Sequence, residues 1–213
     1  MNESTFLNKI ARKETQAEDV ANEVINNPEL VQLLLNGFMM KPAKYKFKSA
    51  KILTLISKDK PEILYPHFEF FAEQLDNENN ILKWNAIIVV ANLTPVDSKK
   101  KFDNLFDKFY DLMRRGNLVT AANVVTNSAV IAKSKPYFEE SITQKILQID
   151  SFELPTPECY NVLKGHAITA FDQYFEKIKN ESAVISFVKK ELDNTRNAVK
   201  KKAEKFLKKW DKR

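Results

Sequence analysis

Glycine occurs three times in 213 residues, histidine twice and cysteine once. So few glycines cannot supply phosphate-cradling loops or the tight turns of a β-rich fold. The lone thiol, Cys159, has no partner for an internal disulfide and fits a reducing, cytoplasmic setting. His67 and His166 lie far apart in the chain, so no metal-ligand spacing is legible, and neither metal nor cofactor is expected. No apolar run reaches the ~18–20 residues of a membrane helix. The opening MNESTFLNKI lacks the basic-then-apolar pattern of a secretory signal. Arginine is scarce too: of 34 basic residues only Arg12, Arg114, Arg115, Arg196 and Arg213 are Arg. Arg is the better bidentate partner for phosphates and base edges, so its scarcity weakens any nucleic-acid reading.

The charge that is present is uneven. Residues 189–213 hold 11 Lys or Arg against 4 Asp or Glu, a balance of +7, while residues 1–188 hold 23 against 24, a balance of −1. The chain is therefore near neutral with a basic last helix. Its lysines Lys200, Lys201, Lys202, Lys205, Lys208, Lys209 and Lys212 go round that helix. The terminal unit of a helical array needs a polar outer face, which makes capping the plain explanation; an anionic partner is the other.

A short phrase recurs: an apolar residue, Lys, two free positions, then a small residue. It reads Tyr45-Lys46-x-x-Ser49, Leu82-Lys83-x-x-Ala86, Leu163-Lys164-x-x-Ala167 and Val199-Lys200-x-x-Ala203, with Leu118-Val119-x-x-Ala122 as a copy lacking the Lys. The starts are spaced by 37, 36, 45 and 36 residues. A near-constant period of this size marks stacked helical hairpins, read here as one domain over residues 1–213. The most apolar copy, Leu82–Pro95, suits a helix packed between neighbours. Seven residues after the start come Ile52, Val89, Val125, Ala170 and Phe206; eight after, Leu53, Val90, Thr126, Phe171 and Leu207; eleven after, Ile56, Leu93, Ala129, Tyr174 and Trp210. At about 100° per residue these columns and the small residues share one arc, which predicts the core face.

Turn residues set the predicted boundaries. Ser4 caps a helix through Arg12, a second runs over 16–25, and Asn27-Pro28 starts a third to Met40; residues 1–43 form an N-terminal cap. Helices follow over 45–57, 61–75, 81–93, 98–115, 118–132, 136–149, 158–177, 182–192 and 195–210, with Gly116 as a stop, Asn117 as a cap and 195–213 as the basic closing helix. No strand signal is present.

The phrase, the period and the paired helices resemble HEAT or armadillo-type repeats over about residues 44–210. In such repeats a loop Asp precedes the apolar-basic pair, and Asp76…Leu82-Lys83-x-x-Ala86 and Asp193…Val199-Lys200-x-x-Ala203 match best. The resemblance implies an all-α, right-handed α-α superhelix of about five hairpins. It further implies a non-enzymatic scaffold that holds a protein or peptide on its concave surface. One branch of this superfamily removes alkylated bases from DNA, which supplies an alternative, a nucleic-acid-binding protein with Trp84 as platform and Asp172 as carboxylate; its motif is not matched here.

Positions opposite the core arc are the candidates for the concave wall: Phe47, Lys51, Trp84, Ile88, Val124, Asn127 and Asp172. Phe47, Trp84, Ile88 and Val124 are apolar where a solvated face is polar, and an exposed apolar patch with an aromatic anchor is a common binding surface. The competing explanation is that neighbouring helices cover this strip. Lys46, Lys83, Lys164 and Lys200 are expected to pair with loop acids or helix-end carbonyls, the alternative being a basic ladder for acidic partners or phosphates.

Overall fold

Three proline pairs, Asn27-Pro28, Lys60-Pro61 and Lys135-Pro136, set corners of the fold. In the computed structural model, which describes residues 2–114 and 117–211, Asn27, Lys60 and Lys135 share one backbone conformation, with φ of −136°, −142° and −126° and ψ of 74°, 66° and 71°. The ring of a following proline disfavours helical geometry at the residue before it, so a helix must end there. Lys60 and Lys135 close the outgoing helix by donating to the Ile56 and Ile131 carbonyls at 2.8 Å. Each proline then opens the next helical segment, where its missing N–H is no loss.

The helices are α1 Glu3–Ala11, α2 Ala17–Asn26, α3 Val31–Met39, α4 Ala43–Asp59, α5 Pro61–Leu64, α6 Phe68–Gln74, α7 Asn80–Leu93, α8 Lys101–Asp111, α9 Leu118–Ser134, α10 Glu139–Leu147, α11 Pro157–Tyr174, α12 Glu181–Lys190 and α13 Asn197–Trp210. Among the described residues there is no strand. Short 3₁₀ turns sit between several of them, so the predicted 61–75 helix is α5, a turn at Tyr65–His67 and α6. Asparagine does the capping. Asn2, Asn79, Asn117 and Asn180 accept from backbone N–H groups at the starts of α1, α7, α9 and α12. Ser4, the expected first cap, lies inside α1 instead. Gly116 falls outside the described residues.

The chain forms two compact units, Met1–Asp103 and Asn104–Arg213, with the division inside α8. In the first, α4 packs against α1, α2, α3 and α7, and α6 packs on α7. In the second, α11 lies between α9 and α13, with α10 on α9 and α12 on α13.

The predicted core columns are buried in four copies. Ser49, Ala86, Ala167 and Ala203 are sealed, as are Ile52, Val89, Ala170 and Phe206. At the chain's end Leu207 and Trp210 are only half-buried. The third copy departs. Ala122 is half-buried and Thr126 exposed, while Ala121, Val124, Val125, Ser128 and Ala129 are buried. Its frame starts at Asn117, one residue earlier, which turns the helix by about 100°. Ser128, now a core position, is accommodated because it receives the Tyr110 hydroxyl at 3.1 Å and donates to the Val124 carbonyl at 2.8 Å.

The loops carry a second repeated device. Asp76 and Asp193, the loop acids of the two best-matching copies, are exposed. The residue after each makes a repeated pair of bonds: Asn77 accepts from Asn79 N at 2.8 Å and donates to Gln74 at 2.7 Å. Asn194 likewise accepts from Arg196 N at 2.8 Å and donates to Glu191 at 2.6 Å.

Candidate binding faces on the inner helices

In the first unit α4 and α7 run side by side and are stitched by polar contacts. Thr54 donates to Asn85 Oδ1 at 2.7 Å and Asn92 donates to Ser57 at 3.0 Å. Asn85 uses its own amide hydrogens on the Ile81 carbonyl at 2.7 Å. Phe47, Trp84 and Ile88 are half-buried, in contrast to Ile87, Val89 and Val90 behind them, which are at most 1% exposed. Lys51 is exposed and pairs with Glu18 at 3.4 Å, a surface contact of little energetic weight.

The second unit repeats the stitch. With α9 read from Asn117, Thr126 takes the place of Thr54 and His166 that of Asn85, and Thr126 Oγ1 lies 3.0 Å from His166 Nδ1. Burial, and next the charge of Lys202, hold the His166 imidazole below its usual pKa, so its neutral form is favoured. Val124 does not belong to the predicted wall. It is fully buried, because the one-residue shift rotates it into the core. Asn127 is half-buried and donates to the Asn123 carbonyl at 2.8 Å.

Asp172 sits in the last turn of α11 and joins it to the last turn of α13. Its Oδ1 accepts from Lys209 Nζ and from Trp210 Nε1, both at 2.8 Å. Burial pushes its carboxyl up, but the hydrogen bonds from Lys209 and Trp210 and the charges of Lys209 and Lys205 outweigh that, so it is held below the usual range. One hollow of about 190 Å³ is lined by Ile168, Thr169, Asp172, Lys202, Lys205 and Phe206. A second, of about 220 Å³, has Lys133, Asp172, Lys177, Lys209 and Trp210 in its wall. Lys202 reaches across to the Gly165 carbonyl at 2.9 Å. Gly165 eases the approach of α13, since a Cβ there would stand 3.1 Å from Val199 Cγ2, tighter than ordinary contact.

The lysines of α13 divide by role. Val199, Ala203 and Phe206 form its buried stripe, and Lys200 is half-buried. Lys201, Lys205 and Lys208 are exposed and make no ion pair among the described residues; Lys212 lies outside them. Of the repeated lysines, Lys164 pairs with Asp150 at 2.9 Å and Glu191 at 3.2 Å, as expected of a residue near loop acids. Lys46, Lys83 and Lys200 make no ion pair among the described residues. His67 is half-buried, which lowers its pKa. Cys159 is also half-buried, 3.2 Å from Thr156 Oγ1. No group of three potential metal ligands exists among the described residues, and no described helix is long and apolar enough to cross a membrane. A further hollow of about 270 Å³, against Leu7, Asn8, Met40 and Tyr45, was not legible beforehand. It depends on Tyr45 meeting Asn8 at 2.7 Å, a contact 37 residues apart in sequence.

No protein-family model and no curated protein matches the sequence. Solved structures do match in fold. A designed armadillo repeat protein aligns with a TM-score of 0.57 and 15% identity over 97% of this chain and 92% of its own. Two engineered proteins from a structural-genomics programme align at 0.54 with 14% identity and 0.56 with 15%, over 99% and 95% of this chain and 97% and 88% of theirs. The fold is an all-α helical repeat of the armadillo or HEAT type.

Proposed function

We propose that the chain is a non-enzymatic module that binds a protein or peptide segment along the outward faces of its inner helices. The observation that carries this reading is the state of Phe47, Trp84 and Ile88. They stand half-buried on α4 and α7 while the core arc behind them is sealed. Water-accessible apolar side chains next to Lys51 and the polar Thr54–Asn85 stitch make an anchor site with directional neighbours. Asp172 shares its carboxylate with Lys209 and Trp210, and Trp84 belongs to the other unit, so the base-excision alternative draws no support from either residue.

Trp84→Ala tests the reading. A binding anchor leaves the melting temperature within a few degrees while abolishing capture of a selected peptide. A loss near the ~3–5 kcal/mol of a core aromatic assigns the indole to packing and removes this reading.

A further inference from the structure

The α11–α13 channel of the second unit differs in chemistry from the apolar α4–α7 face. Five ammonium groups border its two hollows, Lys133, Lys177, Lys202, Lys205 and Lys209. Two carboxylates stand with them, Asp172 and Glu176, so the border keeps a net positive charge of three. The spare charge is at Lys133, Lys177 and Lys205, which make no ion pair among the described residues and are exposed. Lys202 is committed to a carbonyl rather than a carboxylate. Burial and the charge of Arg196 hold its ammonium below the usual lysine range, as befits a cation without a counter-ion. Ile168 and Phe206 line one hollow beneath the lysines but are each only about 2% exposed, so the accessible chemistry there is that of the ammonium groups.

We propose that this channel binds an acidic peptide, with Asp or Glu carboxylates on Lys202 and Lys205. This rests on the peptide-binding reading above and names the chemistry of the guest. Asp172 adds direction. Its Oδ1 takes both internal donors and its side chain is 35% exposed, which leaves the carboxylate capacity to accept a backbone N–H of the guest.

Nucleic acid fits the channel less well. A carboxylate at its centre repels a phosphodiester backbone, whereas a peptide carries donors that satisfy it. The one indole here offers no open platform for a base. Its ring lies 4.8 Å from Phe175 on one side and has the Lys209 ammonium 4.4 Å from its centroid. Arg196, the one described Arg near α13, is tied to Glu158.

The test is selection of random phage-displayed peptides on the full chain. Enriched peptides are then titrated by fluorescence anisotropy against wild type, Lys205→Gln and Lys205→Gln/Lys209→Gln, with circular dichroism as the check on folding. Lys205 makes no ion pair among the described residues and acts on Asp172 only through its charge, so loss of binding in Lys205→Gln with folding unchanged reports mainly on the guest. The expected result is enrichment of Asp/Glu-rich peptides, about tenfold weaker binding to Lys205→Gln, and affinity that falls with added salt. Enrichment of peptides that are not acidic, or that bind Lys205→Gln as tightly as wild type, overturns this inference and leaves the broader peptide-binding reading standing. No enrichment of any peptide overturns both. Tighter binding of oligothymidylate than of the acidic peptide assigns the channel to nucleic acid.

Discussion

The Thr54 hydroxyl donates to Asn85 Oδ1 at 2.7 Å, and the same relation joins Thr126 to His166 at 3.0 Å in the other unit. In each case a residue in the interior of one inner helix meets a residue in the interior of the next. Thr54→Val keeps shape and removes the donor. It is expected to cost about 1 kcal/mol, the net worth of a part-buried hydrogen bond, read as a lower urea midpoint at unchanged slope.

His166 brings pH dependence to the second stitch. Its folded pKa lies below the unfolded value, as does that of His67, so the unfolded chain binds more protons as the pH falls through the ordinary histidine range. Stability is therefore full above about pH 6.5 and declines below it. His166→Gln flattens part of this slope; an unchanged slope in urea titrations across that range refutes the assignment.

Close approach of α3 and α4 rests on Gly37 and Ser49. The Ser49 hydroxyl is sealed and has no hydrogen-bond partner among the described residues. Ser49→Ala is expected to stabilise the protein by about 1 kcal/mol, because an unsatisfied buried hydroxyl costs that order. A Cβ at Gly37 would meet Ser49 Oγ at 2.4 Å and Leu7 Cδ2 at 2.7 Å. Gly37→Ala should cost ~1–3 kcal/mol as overpacking. Removing the hydroxyl relieves one of the two clashes, so the double variant should be more stable than the sum of the single effects.

Asp97 holds the entry to α8. It is 7% exposed and accepts from the Tyr65 hydroxyl at 2.7 Å, Lys101 N at 2.8 Å and Phe102 N at 3.0 Å. Asp97→Ala removes the acceptor of the half-buried Tyr65 hydroxyl, which keeps its contact with Lys99 N, and removes the cap of α8, at an expected cost of about 1–2 kcal/mol. Tyr65→Phe removes one of those bonds and should cost less; thermal melts of the two variants give the order.

Lys164 shows the energetic side of the repeated lysine. Its side chain is 17% exposed and faces Glu191, whose side chain is 5% exposed. Burial lowers the Lys164 pKa and the bonds to Asp150 and Glu191 more than reverse that, leaving it raised. Lys164→Met leaves the Glu191 carboxylate buried with Asn194 as a neutral donor. A loss of about 2–3 kcal/mol is expected, within the range for breaking a buried pair; a neutral result in chemical denaturation would show the pair adds nothing net.

What was legible in the sequence is what acts within a few residues. Helical spacing set the core columns through Ile52, Val89, Ala170 and Phe206, and proline sterics set the corners at Lys60 and Lys135. Asn117 was readable as a cap because a cap bonds three residues ahead. Contacts made over 18 to 40 residues lay beyond that reach. The frame of α9 turned on Tyr110 satisfying Ser128, which put Val124 inside and Thr126 outside. The union of Asp172 with Lys209 and Trp210 needed α11 and α13 to lie side by side. A one-residue turn of a helix moves its face by about 100°. Local propensity barely registers such a turn, and the packing of neighbouring helices settles it.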